Sequence, residues 1–143
     1  MHYPAERNRV PAHLTLFSQL PQSAERELAG RLVAYAKAPR PRARVAGILD
    51  LGMGTAFRIE SEDLEDIRFD LAEALHGLLG PQDRGPWTPH VTIQNKVEPR
   101  EARELQAKLR ARFQPRGLAV RGLALWRYLD GPWEEVRHFS FRG

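Results

Sequence analysis

Residues 4–16 read PAERNRVPAHLTL, and residues 81–93 read PQDRGPWTPHVTI. The two stretches align without a gap. Pro4 matches Pro81, Glu6 matches Asp83, Arg7 matches Arg84, His13 matches His90 and Thr15 matches Thr92. One small protein thus carries His-x-Thr twice, each copy behind a proline-containing loop. Side chains two apart on a strand share a face. On that pattern His13 and Thr15 project together while Leu14 and Leu16 point the other way. His90 and Thr92 stand likewise opposite Val91 and Ile93. Each segment offers an imidazole and a hydroxyl on one side and aliphatics for burial on the other. Eight of the 143 residues are Ser or Thr, so a given His meets one at i+2 by chance in roughly 6% of cases. Two such meetings at equivalent places in a repeat argue for function over accident.

Working outward, the pattern around each copy is strand, helix, strand, strand. Residues 13–17 read as a short strand. Ser23 is placed to cap a helix running to about residue 38, with Leu28, Leu32 and Tyr35 on its apolar stripe. A linker of Pro and Arg (APRPRAR, residues 38–44) follows. Residues 45–51 and 55–60 read as two strands around a Gly-Met-Gly turn. Ser61, with Glu62 and Asp63 in the first turn, opens a helix whose apolar face is Leu64, Ile67, Leu71, Leu75 and Leu78. Gly80-Pro81 ends it, and a loop leads to the second His-x-Thr strand, residues 90–95. Pro99 opens a helix with Ala102, Leu105, Leu109 and Phe113 on one stripe. Residues 118–129 and 134–141 read as the last two strands, turned at Asp130-Gly-Pro132.

Helices alternate with strands, but the hairpins imply antiparallel pairing, so the fold class is α+β. The repeat implies one two-lobed domain, with lobe 1 near residues 1–54 and lobe 2 near 55–143, strands being free to exchange between them. A strand and helix (residues 55–79) precede the second copy, whereas only twelve residues precede the first. The first lobe is therefore expected to lack an N-terminal strand–helix unit. An open sheet edge there favours self-association, so a homodimer or a weakly stable monomer is expected.

Composition narrows the classes. The chain is 42% hydrophobic and 28% charged, the balance of a globular protein. No apolar run approaches the ~18 residues of a membrane span. The first residues, MHYPAERNR, have no apolar stretch of the kind a secretory signal needs, so a cytoplasmic location is expected. There is no cysteine, which excludes disulfides, thiolate metal ligands and a Cys nucleophile. The net charge of +4, carried mostly by arginine, favours phosphate-bearing partners such as nucleotides or RNA.

A histidine exchanges protons near neutral pH, and a threonine one pleat along can donate to a phosphate oxygen. Two such strands facing a cleft supply an acid, a base and two donors. That set suits in-line displacement at a phosphodiester, one His deprotonating the nucleophile and the other protonating the leaving oxygen. A third match, His138-Phe-Ser-Phe141, has no repeat partner and reads as a strand-end histidine. His76 and His2 read as incidental.

The paired HLTL and HVTI motifs resemble the two-histidine (2H) phosphoesterase superfamily, in its 2′-5′ RNA ligase-like and RNA 2′,3′-cyclic phosphodiesterase branch, over nearly the whole chain. The resemblance implies two pseudo-symmetric α+β lobes with antiparallel sheets around a central cleft. It implies cofactor-free, metal-independent hydrolysis of 2′,3′-cyclic phosphate ends of RNA or nucleotides to 2′-phosphates, and in some members reversible 2′-5′ ligation. His13 would be the acid for the leaving oxygen and His90 the base for water, with Thr15 and Thr92 on phosphate oxygens. Many members carry a basic residue shortly after the second motif. Here Gln94 and Asn95 stand there and Lys96 is the nearest cation, so Arg7 and Arg84 become candidate phosphate clamps alongside Lys96. Trp87, three residues before His90, is placed to stack a nucleobase, with Phe17, Trp126 and Tyr128 as further aromatics near the motifs or on the last strands. The competing reading is a non-catalytic RNA- or nucleotide-binding module on the same fold. A metal hydrolase is the weaker third, since nothing resembles HExxH or clustered carboxylates.

Overall fold

The computed structural model describes residues 13–18, 20–128 and 133–142. A short 3-10 turn (Gln22–Ala24) leads into α1 (Glu25–Ala36), β1 (Arg42–Asp50), β2 (Thr55–Glu60) and α2 (Glu62–Ala74). Then follow α3 (Pro81–Arg84), β3 (His90–Gln94), α4 (Pro99–Arg112), β4 (Arg116–Ala119), β5 (Gly122–Tyr128) and β6 (Trp133–Ser140). The class is α+β, as the sequence implies. The chain forms two compact units. The first takes Met1–Leu16, Arg44–Glu60 and Trp87–Leu118; the second takes Phe17–Ala43, Ser61–Pro86 and Ala119–Gly143.

In the first unit, β1 and β2 form the expected antiparallel hairpin, closed by the Leu51 amide on the Gly54 carbonyl at 3.0 Å. β2 pairs antiparallel with β3, and the strand order is β3-β2-β1-β4. α4 packs on β2. Val45 and its cross-strand partner Ile59 are buried on one face of the sheet, Ala56 is buried on the other face of β2, and Ala102 of the α4 stripe is buried too. The middle of this unit is nevertheless polar. Thr55 is 0% exposed and Gln106, on the buried face of α4, is 2% exposed. The Gln106 amide donates to Asp50 Oδ1 (3.0 Å), the Gly54 carbonyl (3.2 Å) and Thr55 Oγ1 (3.2 Å), and Thr55 Oγ1 donates to Gln94 Oε1 (3.0 Å). Buried polar groups survive only when partnered, and this set is partnered throughout. The Asp50 carboxyl is held below its usual range, first by the Gly52 amide and then by Gln106.

The second unit holds α1, α2, α3 and the β5–β6 antiparallel pair, with α1 packed on both strands. Leu28, Leu32, Leu64, Leu71, Leu75, Leu123, Phe139 and Phe141 are its buried apolar residues. Ser61 caps α2 as expected, its hydroxyl accepting from the Leu64 amide at 3.0 Å and donating to the Arg42 carbonyl at 2.6 Å. The Tyr35 hydroxyl of α1 donates to the Asp70 carboxylate of α2. Burial first, and that bond second, push the phenol up to about 12.

Several expectations need correction. Ser23 lies inside the 3-10 turn, which begins from Pro21, so it caps nothing; the Ala24 amide on the Pro21 carbonyl (2.9 Å) leads into α1 instead. α2 stops at Ala74, a turn earlier than the apolar pattern suggests, because Gly77 takes a φ of 89 that a helix cannot hold. Leu78 is left 41% exposed. The loop after it contains α3, a single turn begun by Pro81. The apolar run 118–129 is two strands, not one: β4 belongs to the four-stranded sheet and β5 to the two-stranded one, with Val120-Arg121 between them. Residues 13–17 make a single antiparallel bridge, Leu14 to Val91, rather than a strand among the described residues. Side chains occupy the backbone groups that a longer ladder would use. The Trp87 indole takes the Thr15 carbonyl, and Asp83 takes the Ser18 amide at 2.8 Å. The turn expected at residues 130–132 lies outside the described residues.

Candidate active site

The second motif is held by three consecutive residues, each used once. Trp87 Nε1 donates to the Thr15 carbonyl at 3.0 Å, tying the loop before β3 to the first motif. The Thr88 carbonyl lies 2.7 Å from His90 Nδ1. The Pro89 carbonyl accepts from the Ile59 amide at 2.9 Å, extending the β2–β3 ladder up to the histidine. A carbonyl can only accept, so His90 Nδ1 carries the proton and Nε2 keeps its lone pair when the ring is neutral.

Leu14 bridges Val91 in antiparallel sense, a single residue pair that sets the first motif beside the second. His13 and Thr15 flank Leu14, while His90 and Thr92, two apart on β3, flank Val91 and share a face of the sheet. His13 and Thr15 are exposed; His90 and Thr92 are half-buried.

The ladder carries the face further. On β2, Ala56 pairs with Thr92 and Arg58 with His90. Arg58, not singled out from the sequence, therefore stands on the same face, one strand from the second motif. Its position becomes visible only once the β2–β3 register is known.

Gln94 is fixed in the polar centre of the unit by Thr55 and is 5% exposed. The β2–β3 register shifts between Thr55 and Ala56, whose partners are Gln94 and Thr92. That irregularity breaks the alternation that would carry Gln94 onto the face of His90 and Thr92. Lys96 is exposed in left-handed backbone (φ 57), its amide donating to Asn95 Oδ1 at 3.0 Å. Arg84 is exposed at the end of α3, in the second unit. Asp83 beside it is buried and accepts from the Ser18 amide, while its carbonyl accepts from Arg68 at 2.9 Å. Arg68 also lies over the Phe17 ring at 4.8 Å, so Phe17 packs locally. Arg7 lies outside the described residues, as does His2. His138 is exposed on β6, 3.5 Å from Ser140 Oγ. Among the described residues no group of three or more His, Cys, Asp or Glu is arranged to hold a metal ion, and no helix is long and apolar enough to cross a membrane.

Both His-x-Thr motifs lie in one α+β unit, side by side through the Leu14–Val91 bridge. A family model of the 2′-5′ RNA ligase superfamily matches residues 1–132, and the chain belongs to that superfamily of phosphoesterases and ligases acting on RNA. Among solved structures it is similar to the crystal structure of TT0787 of Thermus thermophilus. The identity is 22% over 97% of this chain and 86% of that one, with a TM-score of 0.64, a likeness of fold. No curated protein matches the chain.

Proposed function

We propose that the protein is a metal-independent phosphodiesterase that opens 2′,3′-cyclic phosphates at RNA or nucleotide ends to give 2′-phosphates, and that reversible 2′-5′ ligation is the same ring opening with a ribose 5′-hydroxyl in place of water. The observation that carries this reading is the register through Leu14 and Val91. Continued by one residue each way, it would set His13 and His90 on one diagonal of a quadrilateral and Thr15 and Thr92 on the other, and in-line displacement needs its base and acid on opposite sides of the phosphorus.

His90 Nε2 takes a proton from water as the water oxygen bonds to phosphorus. The bond from phosphorus to the ribose O3′ breaks, and His13 gives that oxygen a proton. The Thr88 carbonyl steadies the imidazolium that forms at His90. Thr15 and Thr92, on the other diagonal, donate to the non-bridging oxygens, where charge grows in the transition state. The opposite protonation states of the two histidines give a bell-shaped pH profile.

The test is a panel of nucleoside 2′,3′-cyclic phosphates, RNA oligonucleotides with cyclic ends, and a 1″,2″-cyclic phosphate, each incubated in EDTA with the product resolved by position. The expected result is turnover of at least one 2′,3′-cyclic substrate to the 2′-phosphate. Binding without turnover across the panel would replace the enzyme by an RNA-binding module. Turnover abolished by EDTA would replace this mechanism.

A further inference from the structure

Arg58 sits in a built seat. The β1–β2 register shifts between Val45 and Gly47, which makes Ala46 the extra residue of a β-bulge. A bulge leaves a backbone group outside the ladder, and here Arg58 Nη2 donates to the Ala46 carbonyl at 3.3 Å. Gly47 is the cross-strand partner of Arg58. A Cβ there would stand 3.2 Å from Arg58 Nη2 and 3.3 Å from Nε, so the absent side chain gives the guanidinium room over β1. Glu60, the next residue on that face of β2, is 3.6 Å from Arg58 but is held by Arg44 at 2.6 Å. Two guanidiniums share one carboxylate, leaving one net positive charge. Arg58 has five N–H donors, and the Ala46 carbonyl uses one.

Arg58 starts one strand from His90 and its head leans away, over β1. With strands ~4.8 Å apart, the guanidinium stands between one and two strand spacings, roughly 5–10 Å, from the strand of His90. That is too far for a head in this seat to grip a phosphate lying between the two histidines. It is the range over which one ribose separates neighbouring phosphates. We propose that Arg58, backed by Arg44, is a subsite for the phosphate on the 5′ carbon of the terminal ribose. The substrate is then the end of an RNA strand, or a nucleotide that keeps its 5′-phosphate, in preference to a nucleoside cyclic phosphate. This rests on reading the His13–His90 face as the phosphate site, and it deepens that reading by one contact.

The probes are a nucleoside 2′-phosphate and the matching nucleoside 2′,5′-bisphosphate, which differ only in the 5′-phosphate. Calorimetric affinities are compared for the wild type, Arg58→Gln and Arg58→Lys, with the urea midpoint of each variant recorded. The wild type is expected to favour the bisphosphate about tenfold, the scale of a charge-assisted hydrogen bond that is partly exposed. The ratio falls to about one in Arg58→Gln. Arg58→Lys, which keeps the charge but not the fork, gives an intermediate ratio and serves if the glutamine variant does not fold. A wild-type ratio near one, or a ratio unchanged in the variants, overturns the proposal; that includes a variant that weakens both ligands equally, as a merely structural arginine would. No turnover enters this measurement. A protein that keeps the ratio but hydrolyses nothing overturns the activity alone, and one that hydrolyses nucleoside cyclic phosphates without the ratio overturns the subsite alone.

Discussion

Trp87 shows how a residue's first reading is changed by one hydrogen bond. From the sequence it is an aromatic three places before His90, fit to stack a base. In the structure its indole N–H holds the Thr15 carbonyl, so it fastens the first motif to the loop that carries the second. The two roles separate cleanly on substitution. Trp87→Phe keeps a ring for stacking and removes the donor. If alignment of the motifs is what the indole provides, turnover falls about tenfold with little change in KM, because small misplacements are costly in the reacting geometry. Steady-state kinetics on a cyclic phosphate check this. Near-wild-type turnover in Trp87→Phe, with a raised KM in Trp87→Ala, would return the tryptophan to stacking. The two His-x-Thr segments stand out in the sequence because period-two alternation is a local signal. Trp87's bond and Arg58's neighbour do not, since both depend on which backbone lies across from which.

Among the elements, α2 and the β1–β2 hairpin were readable because their signals are local: Ser61 followed by acidic residues, and two β-rich runs around Gly-Met-Gly. α4 was readable only as an outline. Its stripe of Ala102, Leu105 and Leu109 hides Gln106, whose burial makes sense only when Asp50, Gly54 and Thr55 are brought to it. The contact between α1 and α2 yields a prediction of its own. Tyr35 donates to Asp70, and its phenol is pushed up to about 12 from the ordinary 10.0. The unfolded chain therefore loses this proton first. The contribution is complete below pH ~10 and fades as the pH climbs toward the folded value. Urea midpoints measured between pH 9 and pH 12 should fall more steeply in the wild type than in Tyr35→Phe. Parallel curves would mean the bond adds no pH-dependent stability.

At the scale of the whole molecule, the class α+β followed from antiparallel hairpins mixed with helices, and the superfamily from two His-x-Thr segments. What the order of residues does not display is how each compact unit draws on three separate stretches of chain. The apolar run after residue 116 illustrates the reason. Hydrophobic alternation continues across Val120-Arg121, yet β4 joins β1 and β5 joins β6. Pairing partners, not propensity, decide where such a strand ends. The site escapes this difficulty because both motifs fall in one unit, joined by the Leu14–Val91 bridge and the Trp87 bond.

The central claim is that His13 and His90 act together in one displacement. It is tested most directly by single-turnover rates on a 2′,3′-cyclic phosphate, in EDTA, for the wild type, His13→Ala, His90→Ala and the double variant. Each single change should cost at least ~10²-fold, the scale of a positioned acid or base. Because both groups serve the same step, the double variant should be little slower than the slower single one. Full activity in either single variant, or losses that multiply in the double, would contradict the account.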